Sequence, residues 1–191
     1  MEDKIYELKL TEAEEWIDNI SLVAEPAIEV DFMAFAKERP FKFSDEDKHI
    51  ITGAVMIPDK KMWRNDFGGC YVYFSADTCN KAAQRWLMDG KNRSFSVHHN
   101  EEVKSVSVVE SWVKVSEQDK STALGFTNIP NGTWFISAKV EDEELWQAIK
   151  SGEVNGFSIE GVFSIVETDE ESSIIREAED YLSKIRDVNV Q

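Results

Sequence analysis

The sequence predicts an α+β fold: a mostly antiparallel, barrel-like β-sheet with flanking helices and a further helix at the C-terminus. Three observations lead there. Alternation of apolar and polar residues with period two dominates the middle of the chain. Helical periodicity is confined to two stretches between strands and one near the end, so strand and helix do not alternate as a doubly wound fold requires. Hydrophobic residues make up 42% of the 191 residues and include six Trp and eleven Phe, enough for one sizeable core.

"KIYELKL" alternates near the start, and "HIITGAVMIP" is a β-branched run ending at Pro58. "GGCYVYFS" is a further strand, its Tyr and Phe suited to a pleated surface. A helix starts at the N-cap Ser75 and runs through "ADTCNKAAQRWLMDG" to Gly90. Ala82, Ala83, Trp86 and Leu87 have the spacing of its core-facing stripe. "RSFSVHH" and "VKSVSVVESWVKV" read as a hairpin about the polar turn Asn100, Glu101 and Glu102. "GTWFISAKV" is the next strand. "DEELWQAIKSG" is a short helix begun by Glu141 and Asp142 and stopped by Gly152, and "GFSIEGVFSIV" closes the β portion. From about Glu167 the chain is acidic, with Ile174, Ile175, Ala178, Leu182 and Ile185 at helical spacing. That tail helix either packs on the domain or binds a partner. The expected division is residues 1–166 for the domain and 167–191 for the tail.

A net charge of −16 argues against nucleic acid as a partner, because a phosphate backbone would be repelled. Cys70 and Cys79, the two cysteines, suit a reducing compartment. The opening residues lack the basic start and apolar run of a signal peptide, and no stretch approaches the roughly 20 apolar residues that span a bilayer. A soluble intracellular protein with no membrane partner is therefore expected. No metal or cofactor is expected either. The three histidines and two cysteines have no metal-ligand spacing, and Gly68-Gly69 alone is a turn, not a phosphate cradle.

Acid–base and nucleophile candidates remain. Alternation in "SFSVHHN" puts Phe95, Val97 and His99 on one face and Ser94, Ser96 and His98 on the other. His99 is then either a hydrogen-bonded strand-end histidine or a base tuned by its neighbours. In "GFSIEGVFSIV", Ser158, Glu160 and Val162 share one face, with Phe157, Ile159 and Phe163 opposite. Ser158 is either a small residue on a solvated face or a nucleophile, which would need a base and an orienting group behind that base. Spacing alone leaves both pairs of alternatives open.

Seven segments, in order, resemble one family. They are "ISLVAEPAIEVDFMAF", "ITGAVMIPDKKMWR", "YVYFSADT", "SVHHNEEV", "VVESWVKV" with "DKSTALGF", "GTWFISAKV" and "SGEVNGFSIEG". The chain is similar to the XkdF-type phage serine proteases, relatives of the prohead proteases that mature capsids. The resemblance implies a barrel-like core similar to the herpesvirus assemblins and a serine endopeptidase activity. It implies Ser158 as nucleophile and His99, which precedes Asn100, as general base. Its third member is open. Related prohead proteases carry an acidic residue beside an "SLV…PA" motif after the serine. Here the similar "NISLVAEPA" comes before the serine, with Asn19 at the acidic position. Glu160, on the face of Ser158, is preferred over Glu110, which simple hairpin alternation turns away from His99. His98 stands where relatives more often have an acidic residue.

The implied partners are the phage scaffold protein and major capsid protein, with self-association and self-cleavage, inside the prohead in the host cytoplasm. The alternative is a head protein, structural or cargo, that keeps the protease fold without activity.

Overall fold

The computed structural model describes residues 4–11, 15–24, 41–45, 48–65 and 68–168. The expected tail helix therefore lies, from residue 169 on, outside the described residues. Twelve strands and three helices are described, mostly β with helices set among the strands. The strands form three four-stranded sheets, none closed into a barrel among the described residues. Seven of the nine strand pairings are antiparallel.

The first sheet has the order β12 (Ser164–Glu167), β1 (Ile5–Lys9), β6 (Cys70–Tyr73) and β5 (Met62–Arg64). The second is wholly antiparallel: β3 (Phe41–Asp45), β4 (Ile50–Met56), β10 (Trp134–Val140) and β9 (Val106–Val113). The third runs β11 (Gly156–Gly161), β2 (Ile17–Val23), β7 (Phe95–Val97) and β8 (Glu101–Val103). In it β2 lies antiparallel to β11 and parallel to β7.

Helix α1 (Ala76–Met88) begins where expected, with Ser75 Oγ accepting from the Thr78 amide, and stops before Gly90 at φ 68°. It buries Ala82, Ala83 and Trp86, but Leu87 is half-exposed and drops out of the predicted stripe. Trp86 meets Phe95 of the third sheet edge-on at 6.5 Å and Trp134 of the second at 6.2 Å, so one indole joins two sheets. Helix α2 (Lys120–Ala123) is a single turn. Helix α3 (Glu143–Ser151) is capped by Asp142, which accepts from the Leu145 amide at 2.7 Å, and by Gly152 at φ 84°.

Two predicted elements divide. "GFSIEGVFSIV" is β11 and β12, in different sheets. The break is at Gly161, where the register shifts and Val162 N–H bonds the Trp16 carbonyl at 2.9 Å. A β-carbon on Gly161 would collide with that same carbonyl oxygen, so only glycine fits. The predicted hairpin also divides. β8 pairs with β7, whereas β9, three residues on, crosses to the second sheet against β10.

In the third sheet Ile20, Leu22, Phe95 and Phe157 are fully buried and belong to the hydrophobic core. Each contributes about 1.5–3 kcal/mol by leaving water. The alternate residues of the same strands carry the polar side chains described next.

Candidate active site

Strand register sets a polar row across the third sheet. Ser158 on β11 stands opposite Ser21 on β2, and Ser21 stands opposite Ser96 on β7. One repeat along, Glu160 stands opposite Asn19. Directly opposed residues share a face, as do residues two apart on one strand, so all five point the same way. Ser21, Ser96 and Ser158 are buried, while Asn19 and Glu160 are half-buried.

His99 reaches this face by way of a turn. His98 and His99 both have positive φ, 50° and 60°, within a turn closed by Asn100 N–H to the Val97 carbonyl at 3.1 Å. Two adjacent non-glycine residues in the left-handed region cost on the order of 1–3 kcal/mol each and need strong local fixing. Strand β2 supplies it. The His98 amide donates to the Leu22 carbonyl at 2.9 Å, and the His99 amide donates to Ser21 Oγ at 2.9 Å. Asn100 Nδ2 adds a bond to the His98 carbonyl at 2.9 Å.

The turn overrides the alternation expected from sequence. His99 does not continue the apolar face of Phe95 and Val97. Its ring lies with the polar row, Nδ1 at 2.8 Å from Glu160 Oε1. Because the acceptor is a carboxylate, Nδ1 carries the hydrogen, and in the neutral ring Nε2 is then the basic nitrogen. Glu160 Oε1 also accepts from Ser96 Oγ at 3.0 Å and Asn19 Nδ2 at 3.4 Å.

The structure thus brings His99 and Glu160 into contact, with Asn19 beside them. Ser158 lies two residues from Glu160 on the same face of β11, about 6.6 Å away along the strand. Its Oγ has no hydrogen-bond partner among the described residues, and no Ser158–His99 hydrogen bond is formed there. His98 is exposed, its polar backbone held by Leu22 and Asn100.

Glu110 is elsewhere. On β9 it accepts from Ser137 Oγ at 2.7 Å and from Lys120 Nζ, and that hydrogen bond from Lys120, then the one from Ser137, hold its carboxyl below the ordinary range. Cys70 and Cys79 are both buried, and burial, with the nearby charge of Asp59, pushes the Cys79 thiol up to about 12, where it is no nucleophile. Among the described residues no group of His, Cys, Asp or Glu is arranged to hold a metal ion, and no helix is long and apolar enough to cross a membrane.

Sequence reasoning missed Ser21 and Ser96 as parts of this cluster. The signal for Ser96 was its place among the alternating residues of "RSFSV". For Ser21 it was a lone hydroxyl in the apolar run "ISLV".

A family model described as "Putative phage serine protease XkdF" matches residues 39–167. The chain belongs to the XkdF family. It is 29% identical over 132 residues to the "Phage-like element PBSX protein XkdF" of Bacillus subtilis (strain 168), covering 69% of this chain and 43% of that protein. It is 30% identical over 129 residues to the "Uncharacterized protein YqbD" of the same strain, covering 68% of this chain and 36% of that one. The chain therefore spans less than half the length of these curated relatives. No solved structure matches it significantly. Ser96, His99, Ser158 and Glu160 fall within the XkdF match, whereas β2, with Asn19 and Ser21, precedes it.

Proposed function

We propose that this XkdF-family chain is a serine endopeptidase that matures the phage prohead by cleaving the scaffold protein, the major capsid protein and itself. The observation that carries the reading is the 2.8 Å contact from His99 Nδ1 to Glu160 Oε1, with Ser158 two residues before Glu160 on the same strand face.

In this mechanism His99 Nε2 takes the Ser158 proton as Oγ attacks the scissile carbonyl. The tetrahedral intermediate collapses as the imidazolium gives that proton to the leaving amine. Water, activated by the same nitrogen, then releases the acyl group from Ser158. Glu160 keeps the ring in the Nδ1–H tautomer and stabilises the imidazolium between the two transfers. On this reading the three sheets are the counterpart of the assemblin-like barrel, and the enzyme works inside the assembling head in the host cytoplasm.

The test is co-expression of the wild type, Ser158→Ala and Glu160→Gln with the scaffold and major capsid proteins. Processing is expected in the wild type, none measurable with Ser158→Ala, and a fall of about 10³–10⁴-fold with Glu160→Gln. Equal processing by wild type and Ser158→Ala overturns the proposal. Stable full-length copies in virions with uncut capsid termini would instead identify a structural head protein.

A further inference from the structure

We infer that Ser96 is a positioning residue which, with Asn19, fixes the Glu160 carboxylate against His99. The inference rests on the proteolytic reading for its catalytic consequence, and on geometry alone for the positioning itself.

Three donors converge on one oxygen. Glu160 Oε1 accepts from His99 Nδ1 at 2.8 Å, Ser96 Oγ at 3.0 Å and Asn19 Nδ2 at 3.4 Å. A glutamate has three side-chain torsions, and a single bond to an imidazole that is 44% exposed does not hold them. The other two donors come from strands on the near side of the site. Asn19 is the register partner of Glu160 on β2, and Ser96 lies on β7, one strand further. Ser96 is 5% exposed, so its hydroxyl has little access to solvent, and losing the carboxylate would strand a buried polar group.

The arrangement also joins two pieces of chain. Ser96 and His99 sit three residues apart on one hairpin, and Glu160 comes from β11, two strands away. The carboxylate therefore clasps the hairpin at two points, one on the strand and one on its turn. Rotation of Glu160 away from His99 breaks the Ser96 bond as well, so the two contacts reinforce each other. In a catalytic cycle that fixing keeps Nε2, not Nδ1, as the basic nitrogen. Without it the ring samples the other tautomer and other orientations, which costs turnover.

The test uses the full chain and reads His99 directly by ring ¹⁵N NMR at a pH where the imidazole is neutral. Wild type is expected to show the Nδ1–H tautomer in excess. Ser96→Ala should move the population toward Nε2–H, and Ser96→Thr, which keeps the hydroxyl, should restore it. With co-expressed scaffold protein as substrate, Ser96→Ala should lower kcat by about 10–100-fold with KM little changed. It should add nothing to Glu160→Gln. An unchanged tautomer population in Ser96→Ala, or losses that simply multiply with those of Glu160→Gln, overturns the inference. A tautomer shift in a chain that cleaves nothing supports the positioning role and overturns only the proteolytic reading.

Discussion

Histidine rarely takes both central positions of a tight turn, because each pays a steric penalty that glycine or asparagine avoids. Here His98 and His99 do so because Leu22 and Ser21 satisfy their amides. That one local conformation explains what sequence could and could not say about the site. Alternation along β11 correctly put Ser158 and Glu160 on one face, since the strand is regular up to Glu160. The same rule failed for His99, since positive φ at two residues ends the period-two pattern. A second carboxylate, Glu110, has a different and testable consequence. Its pKa is lower folded than unfolded, so it stabilises the fold above the ordinary value of 4.5 and loses that contribution as pH falls through the folded value. The side chain is half-exposed, so the effect is modest. Glu110→Gln should melt below the wild type at neutral pH, with the gap closing below pH 4.5 in a series of thermal melts.

Among the elements, strands with clear alternation and helices with clear caps were legible. Ser75, Asp142 and Gly152 mark helix ends in the structure as they do in the sequence. Strand β2 was not, although its motif stood out. Between two neighbours its last four residues are all buried, which erases the polar–apolar rhythm that announces a strand. Nor was the division of the last strand, because a close backbone approach leaves no mark beyond a glycine. Gly161 is that mark. Gly161→Ala must displace the Trp16 carbonyl or break the bulge beside Glu160. A loss of about 1–3 kcal/mol is expected from a lowered midpoint in urea denaturation. An unshifted midpoint would mean that the backbone yields there without cost.

For the whole molecule, α+β and predominantly antiparallel pairing followed from the pattern of elements, whereas the sorting of the twelve described strands into three sheets did not. Sheet assignment depends on partners distant in sequence: Glu160 and Asn19, in register, are 141 residues apart. The candidate site draws on three such stretches, around residues 19–21, 96–99 and 158–160. It forms only when the third sheet is complete.

The pairing of β1 with β12 has one more consequence. Tyr6 stands opposite Glu167, Thr168 N–H bonds the Ile5 carbonyl at 3.2 Å, and Lys4 lies 3.5 Å from Glu167. The end of β12 thus lies beside the start of β1 in the geometry of a hairpin that lacks only its loop. A link of about 2–5 residues would close it. A chain joined there and opened between β2 and β3 would carry β1 and β2 after the serine strand. The family match likewise begins between those two strands, at residue 39. Such a circular permutant should unfold cooperatively, and a non-cooperative melt would mean that the pairing of β1 with β12 does not survive the new order. The place of β2 in the chain and its place in the sheet would then be independent of one another.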